Sequence, residues 1–156
     1  MAHISDHIHD LPTTARDMAS LFIGKRLGSG MSRTVYEHEL DKTCVVKIES
    51  GGNRFQNVLE WEVWQTVKDT KFAKWFAPCI DISPNGIILI QKKADLIPKS
   101  QYPKSIPRFF MDTKFENFGM IGKQFVCFDY GTAHIDALNR SLTKKLKKAD
   151  WWEGSN

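Results

Sequence analysis

Four polar residues in the last third of the chain are spaced for work on a metal-bound phosphate. Asp112 is followed by Lys114 two residues on and by Asn117 five residues on, and Asp129 stands directly before Tyr130 and Gly131. Carboxylate and amide oxygens are the donors a hard divalent cation takes. An ammonium is a compact positive charge for phosphate oxygens. Between Asn117 and Asp129 there is room for one hairpin, with Phe118 to Ile121 and Gln124 to Phe128 as its arms around Gly122-Lys123. Such a hairpin delivers Asn117 and Asp129 to the same end.

The first half of the chain holds groups that suit an anion. Leu27-Gly28-Ser29-Gly30 is a glycine-rich turn, and without a Cβ its backbone N–H groups can approach phosphate oxygens closely. Lys47 sits among Val45, Val46 and Ile48 in an apolar stretch. Burying its ammonium there is costly unless it meets an anion. Glu60 precedes Val63, Trp64 and Val67 by three, four and seven positions, so it shares their helical face and is the carboxylate expected to meet Lys47. Glu62 lies off that face.

The elements that must carry these groups read as follows. Thr13 or Thr14 caps a short helix running to Leu21, with Asp17 completing the box on Thr14. A strand from Phe22, a second over Ser32 to Glu39 and a third over Thr43 to Glu49 form a meander, the last two joined by Leu40-Asp41-Lys42. Phe55 to Val67 is a helix, its apolar residues recurring at helical spacing. Pro78 to Ile82 and Gly86 to Gln91 are two further strands around the turn Ser83-Pro84-Asn85-Gly86. Residues 95–108, with Pro98, Pro103 and Pro107, read as an extended connector. Ile135, Leu138 and Leu142 mark a helix whose end is the basic run Lys144 to Lys148. Trp151 and Trp152 are placed to fasten the tail to the body.

The chain has 156 residues, enough for one compact domain or two small lobes. Its 42% hydrophobic and 26% charged residues are ordinary for a globular protein. Three cysteines without CxxC spacing speak against a disulfide framework or a zinc site and fit a reducing, cytoplasmic setting. No apolar run is long enough to span a membrane, and no secretory leader is evident. The net charge of +4 is largely the Lys144 to Lys148 run, which reads as a solvated helix end rather than a nucleic-acid surface. His3 and His7 share a helical spacing, but no second group of ligands accompanies them, and residues 1–12 read as a loosely packed arm.

Taken in order, the glycine turn, Val45-Val46-Lys47, Glu60, Asp112-x-Lys114-x-x-Asn117 and Asp129-Tyr130-Gly131 resemble the signature set of protein kinases. The resemblance covers roughly residues 22–131. It implies an α+β, two-lobe fold: an arm and short helix over 1–21, a lobe over 22–93 with a five-stranded antiparallel sheet and one helix, and a truncated second lobe over 94–156. It implies ATP and Mg²⁺ as cofactors. Gly28, Ser29 and Gly30 would cradle the phosphates. Lys47 would pair with them and with Glu60. Val35 and Val45 would roof the adenine, Ile90 would stand behind it, and the backbone of Gln91, Lys92 and Lys93 would read its edge. Asp112 would take the proton of the attacking hydroxyl, Lys114 would steady the transferred phosphoryl group, and Asn117 and Asp129 would hold the metal.

The chain also departs from the pattern. Arg33 replaces the third glycine, and either contacts phosphate or points to solvent. Gly119 stands where the floor of the adenine slot carries a larger side chain. Phe110-Met111 replaces His-Arg, removing the arginine that reads a phosphorylated activation loop. The space after Gly131 is too short for an activation segment and the helices that bind protein substrates. The nearest likeness is to minimal forms such as the atypical RIO group and compact bacterial or bacteriophage kinase-like proteins.

Three readings follow. The first is an ATP-dependent phosphotransferase acting on a protein or small-molecule hydroxyl. The second is a nucleotide-binding pseudokinase that serves as an interaction or inhibitory module. The weakest is an RNA-associated factor. A shortened second lobe is also expected to leave apolar surface bare near Phe109, Phe110 and Trp151, inviting self-association.

Overall fold

Alternation of β-branched and aromatic residues after Phe22 builds strands that pair edge to edge. In the computed structural model, residues 13–50, 55–131 and 145–154 are described. The arm over 1–12 and the helix expected at Ile135, Leu138 and Leu142 lie outside them. Helix α1 covers Thr13–Ser20 and leads into β1 (Ile23–Ser29), β2 (Arg33–His38) and β3 (Cys44–Glu49). Helix α2 is Gln56–Val67, followed by β4 (Cys79–Ile82) and β5 (Ile88–Lys92). The five strands form one antiparallel sheet in the order β1-β2-β3-β5-β4. The chain separates into two units, residues 1–61 with 79–93, and residues 62–78 with 94–156.

In the first unit β3 is flanked by β2 and β5, and every residue from Cys44 to Ile48 is buried. Side chains alternate between the faces of a strand. Tyr36, Val46 and Ile48 form an apolar cluster on one face with Ile23, Ile87 and Ile88. The pairings Val35 with Lys47, Lys47 with Leu89 and Val45 with Gln91 put those five residues on the other face. The start of helix α2 belongs to this unit and buries Asn57 and Glu60, while its continuation from Glu62, with buried Val63 and Val67, falls in the second unit. Its first turn is tied to the sheet: Asn57 N–H donates to Glu49 Oε1 at 2.8 Å, and Asn57 Nδ2 donates to the carbonyls of Lys47 (3.2 Å) and Ile87 (2.7 Å). Gly86 adopts φ +74°, and a Cβ there would lie 2.5 Å from Val58 Cγ2, so both backbone and packing require glycine.

The second unit carries a two-stranded ribbon of β6 (Ser105–Pro107) with β9 (Leu146–Lys148), and the hairpin β7 (Phe118–Ile121) with β8 (Gln124–Cys127). Gly122 at φ +60° opens a two-residue hairpin turn. Gly119 passes so close to Asp95 that a Cβ would sit 2.5 Å from the Asp95 carbonyl oxygen, while Asp95 and Met120 exchange two backbone hydrogen bonds of 2.8 Å. That close crossing accounts for the missing side chain at 119.

Two sequence expectations fail here. Part of the basic run, Leu146–Lys148, is a strand rather than a helix end. Ile106, wholly buried, supplies the partner edge and overrides local helix propensity. Phe109 and Phe110 are not bare. They pack with Phe72, Phe76 and Phe118, and Tyr130 closes the cluster by stacking edge-on to Phe76 and donating its O–H to the Ala77 carbonyl at 2.7 Å. Trp151 is half-buried against Tyr102, Phe115, Phe118 and Phe125. These contacts remove the ground for expecting self-association at that place. None of the three cysteines forms a disulfide. Among the described residues no helix is long and apolar enough to cross a membrane.

Candidate functional site

Lys47 extends from the middle of β3 and is only 3% exposed. Its Nζ donates to both oxygens of Glu60, at 3.1 and 3.0 Å, and Glu60 is fully buried on α2. The pair expected from the helical stripe is therefore formed. A second cation shares the carboxylate. Arg33 Nη1 donates to Glu60 Oε2 at 2.6 Å and to Asn57 Oδ1 at 3.2 Å, with Arg33 6% exposed. Sequence reasoning left Arg33 between phosphate and solvent, and missed this. The signal was parity: Arg33 lies two residues before Val35, so it shares a strand face with Val35 and the paired Lys47.

The glycine turn precedes Arg33, and Gly30 N–H donates to the Arg33 carbonyl at 2.8 Å. Neither Gly28 nor Gly30 has a positive φ, and a Cβ built on either would meet nothing within 4 Å. The protein's own described contacts do not demand glycine at 28 or 30. Ser29 is exposed and accepts a hydrogen bond from Arg26 Nη2 at 2.7 Å, and Met31 at the tip is 85% exposed.

Strand β5 corrects the expected surroundings of the base. Ile90 pairs with Val46, on the face opposite Lys47, Val35 and Val45, so it does not share their environment. Gln91 is the residue on the Lys47 face. It is paired with Val45 on one side and Cys79 on the other, its side chain is fully buried, and its Nε2 reaches Cys79 Sγ at 3.8 Å. Among the described residues Gln91 Oε1 has no hydrogen-bond partner. Lys92 is still in the ladder, and its Nζ donates to Thr43 Oγ1 at 2.7 Å. Lys93 N–H donates to the Thr43 carbonyl, so Ala94 is the first residue beyond these pairings. This geometry weighs against Gln91 as a residue whose backbone reads a base.

In the second unit, the Asp112 carboxylate is held at both oxygens. Oδ1 accepts the Lys114 N–H at 3.3 Å and Oδ2 accepts the Asn117 Nδ2 at 3.1 Å. Asn117 ends a single 3₁₀ turn, Phe115–Asn117, and is 8% exposed. Phe128 N–H donates to the Asn117 carbonyl at 2.8 Å, so the hairpin returns the chain beside Asn117 one residue before the exposed Asp129. Tyr102 supports this turn from below, its O–H directed at the carbonyls of Phe115 (2.7 Å) and Phe118 (3.0 Å). Burial pushes the Tyr102 phenol above its ordinary pKa. Lys114 Nζ lies 4.7 Å from the centre of the Trp152 ring.

Among the described residues no three His, Cys, Asp or Glu side chains cluster as a metal site. Asn117 and Asp129 carry an amide and a carboxylate oxygen, the donor types that Mg²⁺ takes alongside phosphates and water.

No protein-family model and no curated protein matches the chain. Seven chains among solved structures do. One is the ternary complex of streptomycin, ATP and APH(2″)-IIa, with a TM-score of 0.42 and 17% identity. The match covers 62% of this chain and 31% of that one, so this chain spans less than a third of the structure it matches.

Proposed function

We propose that the chain is a minimal phosphotransferase that moves the γ-phosphoryl group of ATP to a hydroxyl acceptor. The observation that carries the reading is the buried Lys47–Glu60 pair, with side chains 4% and 0% exposed. Apolar residues of like volume usually stabilise a core as well as a buried ion pair does, so stability alone is a poor reason to keep one. A lysine fixed on a β-strand by a helix carboxylate suits a different task, that of meeting nucleotide phosphates. Open space above Gly28 and Gly30 supports the same reading, because phosphates can approach the backbone there.

The second unit would supply the transfer chemistry. Asp112, oriented at both oxygens, would accept the proton of the incoming hydroxyl. Lys114 would offset charge on the transferred group. Asn117 and Asp129 would hold Mg²⁺, which supplies charge neutralisation of the phosphates when bound. The backbone proposed to read adenine is that of Ala94, the first residue beyond the β-ladder, rather than Gln91, Lys92 or Lys93. The acceptor is a protein or small-molecule hydroxyl.

The test is incubation with γ-labelled ATP and Mg²⁺ beside Asp112→Ala and Asp129→Ala variants. Transfer or turnover that both variants abolish supports the proposal. Nucleotide-dependent thermal stabilisation without turnover would replace it with the pseudokinase reading. Absence of both would remove it.

A further inference from the structure

The tail that follows β9 lies along the loop that carries Asp112 and Lys114. Ala149 N–H donates to the Lys104 carbonyl at 2.9 Å, and Thr113 Oγ1 donates to the Asp150 carbonyl. Trp152 N–H then donates to the Thr113 carbonyl at 3.3 Å, and Phe115 N–H to the Trp152 carbonyl at 3.1 Å, making a parallel bridge between Lys114 and Trp152. Trp151 anchors the segment inward, its Nε1–H on the Pro103 carbonyl at 2.8 Å and its ring among Tyr102, Phe115 and Phe118. Its neighbour Trp152 points the other way, 44% exposed, with the Lys114 ammonium over its ring.

We infer that Trp152 is a positioning residue for Lys114. The inference rests on the phosphotransferase reading and gives the tail a part in it. Lys114 is tethered twice, by its backbone N–H to Asp112 Oδ1 and by its ammonium on the indole face. An aromatic face attracts a cation without neutralising it. A carboxylate partner would do otherwise: an ion pair with Asp112 would cancel the lysine's charge and occupy the proton acceptor. Indole therefore holds the ammonium in one place, still fully charged, and leaves Asp112 to Asn117 and the backbone. When ring contact is lost, the flexible lysine can settle on a nearby carboxylate, and the phosphoryl group loses its counter-charge.

The experiment is a double-mutant cycle on label transfer from ATP with Trp152→Ala, Lys114→Ala and the pair. The tail's hydrogen bonds to the loop through residue 152 are made by its backbone, so they survive substitution, and thermal unfolding of each variant checks the fold. Trp152→Ala is expected to lower kcat about 3- to 5-fold with KM for ATP unchanged, in line with one partly exposed cation–π contact. Trp152→Phe should restore most of the loss. In the Lys114→Ala background Trp152→Ala should cost nothing further. Upfield-shifted ε-methylene protons of Lys114, relaxing to ordinary values in Trp152→Ala, are expected by NMR. Equal losses in both backgrounds, or no loss in either, would overturn the inference while leaving the phosphotransferase reading intact. Failure of the unmodified chain to transfer any phosphoryl group would sink that reading and this inference with it.

Discussion

Glu60 carries two cations in a place water does not reach. Removing it leaves Lys47 and Arg33 buried side by side without the carboxylate they share, whereas removing either cation leaves Glu60 its other one. Glu60→Ala is therefore expected to destabilise by about 3–5 kcal/mol, and Lys47→Ala or Arg33→Ala by less, about 1–3 kcal/mol. Urea unfolding of the three variants checks the order, and Arg33→Ala costing as much as Glu60→Ala would refute the shared-carboxylate description. Tyr102 makes a pH-dependent contribution. Its folded pKa is raised by burial, so the protonated phenol is the form the fold favours. That stability is whole below the unfolded value of about 10 and is lost as pH climbs through the raised folded value. Tyr102→Phe should cost about 1–2 kcal/mol at pH 8 and show a flatter fall above pH 10. Urea midpoints at pH 8 and pH 11 decide it.

At the scale of elements, legibility followed periodicity. Glu60 could be assigned because Val63, Trp64 and Val67 gave α2 a clear stripe. Strand β5 could not be read for facing, since Ile87-Ile88-Leu89-Ile90 is apolar at every position and a shift of one residue exchanges the faces. Ile90, which the resemblance puts behind the adenine, pairs with Val46, and Leu89 and Gln91 lie on the Lys47 face. Strand β9 was hidden because its partner, β6, is distant in sequence and only three residues long. Arg33 was obscured by the expectation of a glycine. The glycines themselves give a separable prediction. Gly86→Ala should cost about 2–4 kcal/mol, from a left-handed backbone and from collision with Val58. Gly28→Ala and Gly30→Ala should change stability by less than about 0.5 kcal/mol. If phosphates dock on that turn, both should weaken ATP-dependent thermal stabilisation all the same. Unchanged stabilisation in both would remove the turn from the nucleotide site.

At the scale of the whole molecule, the residues of the proposed site fall in two units. The first holds Lys47, Glu60 and the glycine turn, and the second holds Asp112, Lys114, Asn117 and Asp129. The second unit is held by aromatic packing and by its own tail laid along the Asp112 loop. A mixed α+β sheet-and-helix plan is legible in the sequence, while the tail's pairing is not, because nothing in the spacing of Trp151 and Trp152 names Thr113 as their partner. Under the proposed function, one measurement is decisive. Label transfer from γ-labelled ATP and thermal stabilisation by ATP–Mg²⁺ should be recorded together for the unmodified chain, Lys47→Ala and Asp112→Ala. The unmodified chain should show both signals. Asp112→Ala should keep the stabilisation and lose transfer by about 10²–10⁴-fold, and Lys47→Ala should lose both. An unmodified chain that neither gains stability from ATP–Mg²⁺ nor transfers label, or an Asp112→Ala variant that transfers as well as the original, would contradict the proposal.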